Sequence, residues 1–140
     1  MKKTNDYITL KEKISSAKMN KILDDLKVFW AFGNSQLEEG LKKIGEKKEN
    51  ITSIGMGGFI PKKNVKKYIK QMEDYSAWFV KEVKKLDPNQ VIRYELNNYE
   101  CYYSGDITNA FRVLEEFGFT REEVLHVFHN KNYILEKKEN

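Results

Sequence analysis

The side chains with most chemical reach in this 140-residue sequence are His126 and His129, Cys101, and a run of carboxylates that includes Glu95, Glu100 and Asp106. Two imidazoles three residues apart on one predicted helix can face a single metal ion. A working site needs a third ligand, and Glu122 or Glu123 would have to bend into that role from the same helix. The plainer reading places both histidines on a helix surface near a C-terminus, where the macrodipole favours them. Cys101 is a nucleophile only if a neighbouring base makes its thiolate, and a lone cysteine between a glutamate and two tyrosines is more often a small buried apolar residue. No catalytic residue, metal or cofactor is assigned on these grounds. A small enzyme or metalloprotein using Glu100, Cys101, Asp106 and the histidines stands as the rival reading.

A denser cluster is Tyr94, Glu95, Asn97, Asn98, Tyr99, Glu100, Tyr102, Tyr103, Asp106 and Asn109. Amides and carboxylates interleaved with phenols can read a sugar, a nucleotide or a peptide by combining hydrogen bonds with ring stacking. Capping and turn duties compete for the same residues. Glu95, Asn98, Tyr99, Glu100, Tyr103 and Asp106 are the candidates for contact with a ligand or partner.

The second candidate stretch is Ile51 to Pro61, where β-favouring residues flank Gly55, Met56, Gly57 and Gly58. This reads as a hairpin, with Gly57 and Gly58 supplying the positive φ of a tight turn. Successive glycine amides, followed by Lys62 and Lys63, can cradle an anion. Yet the stretch matches neither the P-loop nor the dinucleotide fingerprint, and a structural turn is the stronger reading. Lys62, Lys63, Lys66, Lys67 and Lys70 form the densest basic patch, with no acid between Lys62 and Gln71. They suit phosphate or an acidic protein, but no aromatic residues interleave with them on that helix face, so a solvated surface is preferred.

The elements that must position these residues follow from periodicity. Thr9 to Glu12 has capping-box spacing and opens a helix to about residue 26; residues 28–32 form a short aromatic strand; Ser35 to Glu38 opens a second helix ending at Gly45. Asn64 caps a long helix to about Leu86, striped by Val65, Tyr68, Ile69, Met72, Tyr75, Phe79 and Val83, and Asp87-Pro88 stops it. Residues 90–98 read as a helix rather than a strand, and 100–103 as extended. Asp106 caps a helix that ends at Gly118, and Thr120 to Glu123 is a third capping box before the last helix. The fold class expected is α+β: a mostly helical single domain, 1–140, with a small antiparallel sheet and hairpin packed on a long central helix. Its core spans about 8–130, with a polar tail at 136–140.

Composition narrows the function. Net charge is +4 and pI about 9.0, but 21 acidic residues oppose 25 basic ones, which is mild for a nucleic-acid binder. A single cysteine excludes an intramolecular disulfide and fits a reducing cytoplasm. No apolar run approaches signal-peptide or membrane-spanning length, so neither export by that route nor membrane association is expected.

Three blocks, Phe29 to Gly40, Ile54 to Lys62, and Tyr94 to Glu100 with Tyr103 to Ile107, resemble a family of small proteins common in bacteriophages and prophages and of no assigned function. The resemblance runs over about 30 to 125. It implies a cytoplasmic accessory protein of a mobile element and supplies no catalytic residues. Where the family pattern carries a histidine, this chain has Tyr99. The reading as a whole is a non-enzymatic binding module whose partner is a protein or small polar ligand, through the hairpin and the 94–106 segment. Nucleic acid held by the lysines is the less favoured alternative.

Overall fold

In a computed structural model, which describes residues 6–130, the chain divides into two compact units: Ser16–Ser76, and Met1–Ser15 together with Ala77–Asn140. The tail expected at 136–140 lies outside the described residues. The sequence shows no Pro-, Gly- or Ser-rich linker because the crossing at residues 76 and 77 lies inside a helix and that at 15 and 16 at a helix start.

The Ser16–Ser76 unit is organised by a three-stranded antiparallel sheet of β1 (Phe29–Trp30), β2 (Ile51–Gly55) and β3 (Gly58–Pro61) in the order β1-β3-β2. Phe29 pairs with Phe59 and Trp30 with Gly58, so the aromatic run joins the hairpin as expected. Gly55 pairs with Gly58, leaving Met56 and Gly57 as the two turn residues, at φ 50° and 81°. Positive φ at both positions defines a type I′ turn. The expectation that Gly57 and Gly58 supply it is therefore corrected: Met56 takes one place, and Gly58 is small for another reason. A Cβ there would lie 2.9 Å from Ile54 Cγ1.

α3 (Asn34–Ile44) follows β1 and ends at Gly45, whose φ of 71° lets its N–H reach the Leu41 and Lys42 carbonyls. Its N-cap is Gly33, so the expected Ser35 box starts at the second helical residue and makes no cap. α3 lies on β1 through Gly40, where a Cβ would fall 2.3 Å from the Phe29 ring, itself stacked on Phe59 at 5.7 Å. α2 (Ser15–Asp25) and α4 (Val65–Val83) bracket the sheet in sequence. Leu26, Val28 and Ile60 form the small core, with Ile22, Leu23, Ile54, Val65 and Tyr68 against it, so the hairpin does pack on the start of the long helix. Asn64 was expected to cap that helix; its Nδ2 instead donates to the Leu26 carbonyl at 2.8 Å, behind a 3₁₀ turn at Lys62–Asn64. Ile69, expected in the packed stripe, is half exposed.

Among the described residues, the regular elements of the other unit are all helices. α1 (Asp6–Thr9) runs into a π-helical turn at Leu10–Ile14 and on into α2. Thr9 is in the αR region with no side-chain cap, so its box spacing is accidental: the helix has already begun at Asp6. In α5 (Pro88–Asn98) the Asp87 carboxylate accepts from the Asn89 N–H at 3.0 Å, and Pro88 occupies the first turn, where its missing N–H costs nothing. Burial of Val91, Ile92, Glu95 and Leu96 settles the period as helical.

α6 (Cys101–Ser104) corrects the extended reading of 100–103. Glu100 enters it at φ 53° and Gly105 leaves it at φ 78°, which folds the segment into a single helical turn that buries Cys101. α7 (Thr108–Glu115) and α8 (Arg121–His129) complete the unit. Between them Gly118, at φ 90°, lets the Phe119 N–H reach the Leu114 carbonyl. The Thr120–Glu123 capping box is present in full. The core gathers Tyr7, Leu10, Val83, Val91, Ile92, Leu96, Cys101, Ala110, Leu114, Val124 and Val127. The class is the expected one, mostly helical α+β with a small antiparallel sheet.

Candidate functional site

The polar residues around position 95 part company once α5 is a helix. Four residues after Val91 and three after Ile92, Glu95 sits on the buried face and is fully enclosed. An isolated carboxylate there would be prohibitively costly. It is compensated by α1 and the π-turn. The Tyr7 hydroxyl donates to Glu95 Oε2 at 2.5 Å, Lys11 Nζ meets the same oxygen at 2.5 Å, and Asn98 Nδ2 reaches Oε1 at 3.4 Å. Tyr7 and Lys11 are four apart, one helical turn, which is what lets both converge on one carboxylate. Two further bonds fix the same docking: the Tyr7 N–H donates to Gln90 Oε1 at 3.3 Å, and the Tyr94 hydroxyl to Glu12 Oε2 at 3.2 Å. Lys11 Nζ also lies 5.3 Å from the Tyr94 ring centroid, within cation–π range.

Burial, then the bond to Glu95, holds the Tyr7 phenol well above its ordinary value of 10.0. A raised folded-state pKa means its stabilisation is complete below pH 10 and is lost as pH rises past it, by up to about 1.4 kcal/mol per pH unit. Urea titrations at pH 9, 10 and 11 should show stability falling more steeply for wild type than for Tyr7→Phe. Parallel falls would contradict the assignment. Tyr94 is raised as well, by burial and then by Glu12.

Above this network α5 and Ile8 of α1 line an open groove of about 530 Å³, with Gln90, Arg93, Tyr94, Asn97 and Asn98 along the helix. The spacing i, i+3, i+4, i+7, i+8 is one helical face. Of the sequence candidates, Asn98 is in the groove and Glu95 lies buried inside the helix that forms it. Tyr99 and Glu100 are exposed where α5 ends, and Tyr103 is almost wholly exposed on α6. Asp106 does not take the expected N-cap position, which falls to Ile107; its carboxylate accepts from the Thr108 hydroxyl at 2.6 Å and N–H at 2.9 Å in the turn ahead of α7, which lowers its pKa. Sequence reasoning missed Tyr7, Ile8, Lys11, Gln90 and Arg93. The stripe from Gln90 to Asn98 was readable as helical spacing; the contribution of α1 was not.

The residues of the enzyme reading do not converge. Cys101 is fully buried, and burial, reinforced by Asp106, pushes its thiol up and away from thiolate. His126 is half exposed, 3.9 Å from Glu122 one turn earlier. Among the described residues no group of three or more His, Cys, Asp or Glu side chains is arranged to hold a metal, and no helix is long and apolar enough to cross a membrane.

The hairpin glycines belong to the other unit, where Gly55 and Gly57 serve the turn and Gly58 makes room for Ile54. Lys62, Lys63, Lys66, Lys67 and Lys70 are exposed there, Lys63 pairing with Glu46 at 3.2 Å and Lys70 with Asp74 at 3.1 Å.

Comparison with curated proteins and with solved structures finds no match. Residues 11–134 match the family described as of unknown function, DUF7659, a match that carries no indication of phage origin. Because it takes in both the sheet unit and the α5 groove, the chain as a whole belongs to the DUF7659 family.

Proposed function

We propose that this chain is a non-enzymatic binding module of a phage or mobile element, acting in the cytoplasm, and that its partner is a short extended polypeptide segment received in the α5 groove. The setting rests on the resemblance of the three sequence blocks and on the single cysteine. The recognition rests on one observation: the groove lining is a single helical stripe of amides and a guanidinium above a compensated, closed charge network.

Gln90 and Asn97 are seven residues apart, about 10.5 Å along a helix. Three residues of extended peptide span about the same length. Side-chain amides carry both a donor and acceptors, the complement of a peptide backbone. Arg93 between them suits a carboxylate, bound through two parallel N–H bonds. Ile8 and the Tyr94 ring supply apolar wall. Glu95 contributes by rigidity, holding α1 against α5 so that the groove exists before the partner arrives.

The experiment is selection of short random peptides displayed on phage against the purified protein, followed by affinity measurement on Arg93→Ala and Asn97→Ala. Selected peptides should carry an acidic residue and lose about 10- to 30-fold in affinity for Arg93→Ala, with unchanged melting temperature. Peptides that bind the variants as well as wild type, or a selection that enriches nothing, would overturn the reading.

A further inference from the structure

The Ser16–Ser76 unit exposes three large apolar side chains at one end of its sheet: Trp30 at 47%, Phe32 at 76% and Met56 at 93%. Trp30 ends β1 and Phe32 follows two residues later, both exposed, while Phe29 beside them is used up by Phe59 and Gly40. The ladder continues past Trp30, since the Ala31 N–H donates to the Gly57 carbonyl at 2.9 Å. Phe32 is exposed yet anchored: its N–H donates to Gln36 Oε1 at 2.8 Å, and its ring lies so near Gly57 that a Cβ there would fall 2.3 Å from Cε1. A ring held in place on one side and bare to water on the other is a preorganised stacking surface.

Charge says what it would stack against. This unit contains twelve lysines and eight acidic residues, which accounts for the whole +4 excess of the chain. Five of those lysines follow β3 directly, and among the described residues Lys62, Lys66 and Lys67 enter no ion pair while lying exposed. We propose that this unit binds single-stranded nucleic acid, stacking bases on Trp30 and Phe32 and meeting phosphates with Lys62, Lys66 and Lys67.

Two geometric points favour that partner. Trp30 pairs with Gly58, four residues before Lys62, so rings and lysines are separated by about 13 Å along the hairpin. An anionic membrane entered by the apolar end would leave Lys62 beyond a Debye length of about 8 Å from its headgroups. A strand lying along the hairpin reaches both. A duplex offers phosphates alone, because its bases are already stacked.

The test is fluorescence anisotropy of a labelled single strand of about 15 nucleotides, its duplex, and phosphatidylserine vesicles, over a salt series. The single strand should bind at least tenfold tighter than the duplex. Gln at 62, 66 and 67 together should lower the salt slope by about two. Trp30→Ala with Phe32→Ala should weaken binding at least tenfold and leave the slope unchanged. Trp30→Phe, which keeps a ring, guards against a folding artefact and should retain most of the affinity, and in a Trp78→Phe background the strand should quench Trp30 fluorescence. Equal affinity for duplex, binding to vesicles alone, no binding at low salt, or an alanine pair that binds like wild type would each overturn the proposal. Arg93→Ala, in the other unit, should leave this binding untouched, so the two readings fail separately.

Discussion

Glu95→Ala is expected to lower the unfolding free energy by about 3–5 kcal/mol, the cost of breaking a buried charge pair by removing one partner. Set against a total of about 5–15 kcal/mol for an ordinary domain, that is about a fifth of the stability at the least. The physical reason is what remains behind. The Tyr7 hydroxyl, in a fully buried residue, loses its acceptor, and Lys11, with a side chain only 29% exposed, keeps a charge with nothing opposite it. Asn98→Ala is the control: its side chain is exposed and its bond to Glu95 is long, at 3.4 Å, so it should cost under about 0.5 kcal/mol. Urea unfolding of the two variants beside wild type separates them. A Glu95→Ala change below about 1 kcal/mol would show that the carboxylate is not spent on folding.

Gly57→Ala is expected to cost about 2–5 kcal/mol. Its φ of 81° charges any L-residue about 1–2 kcal/mol, and the new Cβ would overlap the Phe32 ring, which adds about 1–3 kcal/mol of overpacking unless the ring swings away. Phe32→Ala in the same background separates the terms, because it removes the overlap and leaves the backbone strain. The double variant should therefore recover part of the loss. If it recovers nothing, the ring does not rest on Gly57 as described.

The fold class was legible because period 3.6 runs through most of the chain and gives way to strand at the aromatic run of 28–32 and at the glycine hairpin. Local caps were less legible. Thr9, Ser35 and Thr120 all begin a hydroxyl-to-glutamate spacing, but only Thr120 sits at a real helix start; the others lie inside helices that begin at Asp6 and Asn34. Spacing alone does not fix where a helix begins. The 100–103 segment misled for a different reason: its tyrosines favour strand, and the turn at Glu100 that makes it helical needs a positive φ that no glycine announces.

The site was half legible. Asn98 and the surplus of polar residues near it are visible in the sequence, but a helix over 90–98 does not by itself say which of its faces is buried, and Glu95 falls on that face. Its partners Tyr7 and Lys11 are 88 and 84 residues away in sequence, and no local pattern points across that distance. The exposed Trp30 and Phe32 escaped notice because an aromatic run reads as buried strand, and only its pairing shows that half of it is not.

The measurement that bears most directly on the groove is an amide-detected NMR titration with a peptide obtained by the selection described above. The side-chain NH₂ resonances of Asn97, Asn98 and Gln90 should shift together and saturate at the affinity measured independently, while Gly55, Gly57 and Gly58 stay still. Saturable shifts confined to the hairpin glycines, with those three amides unmoved, would contradict recognition through α5.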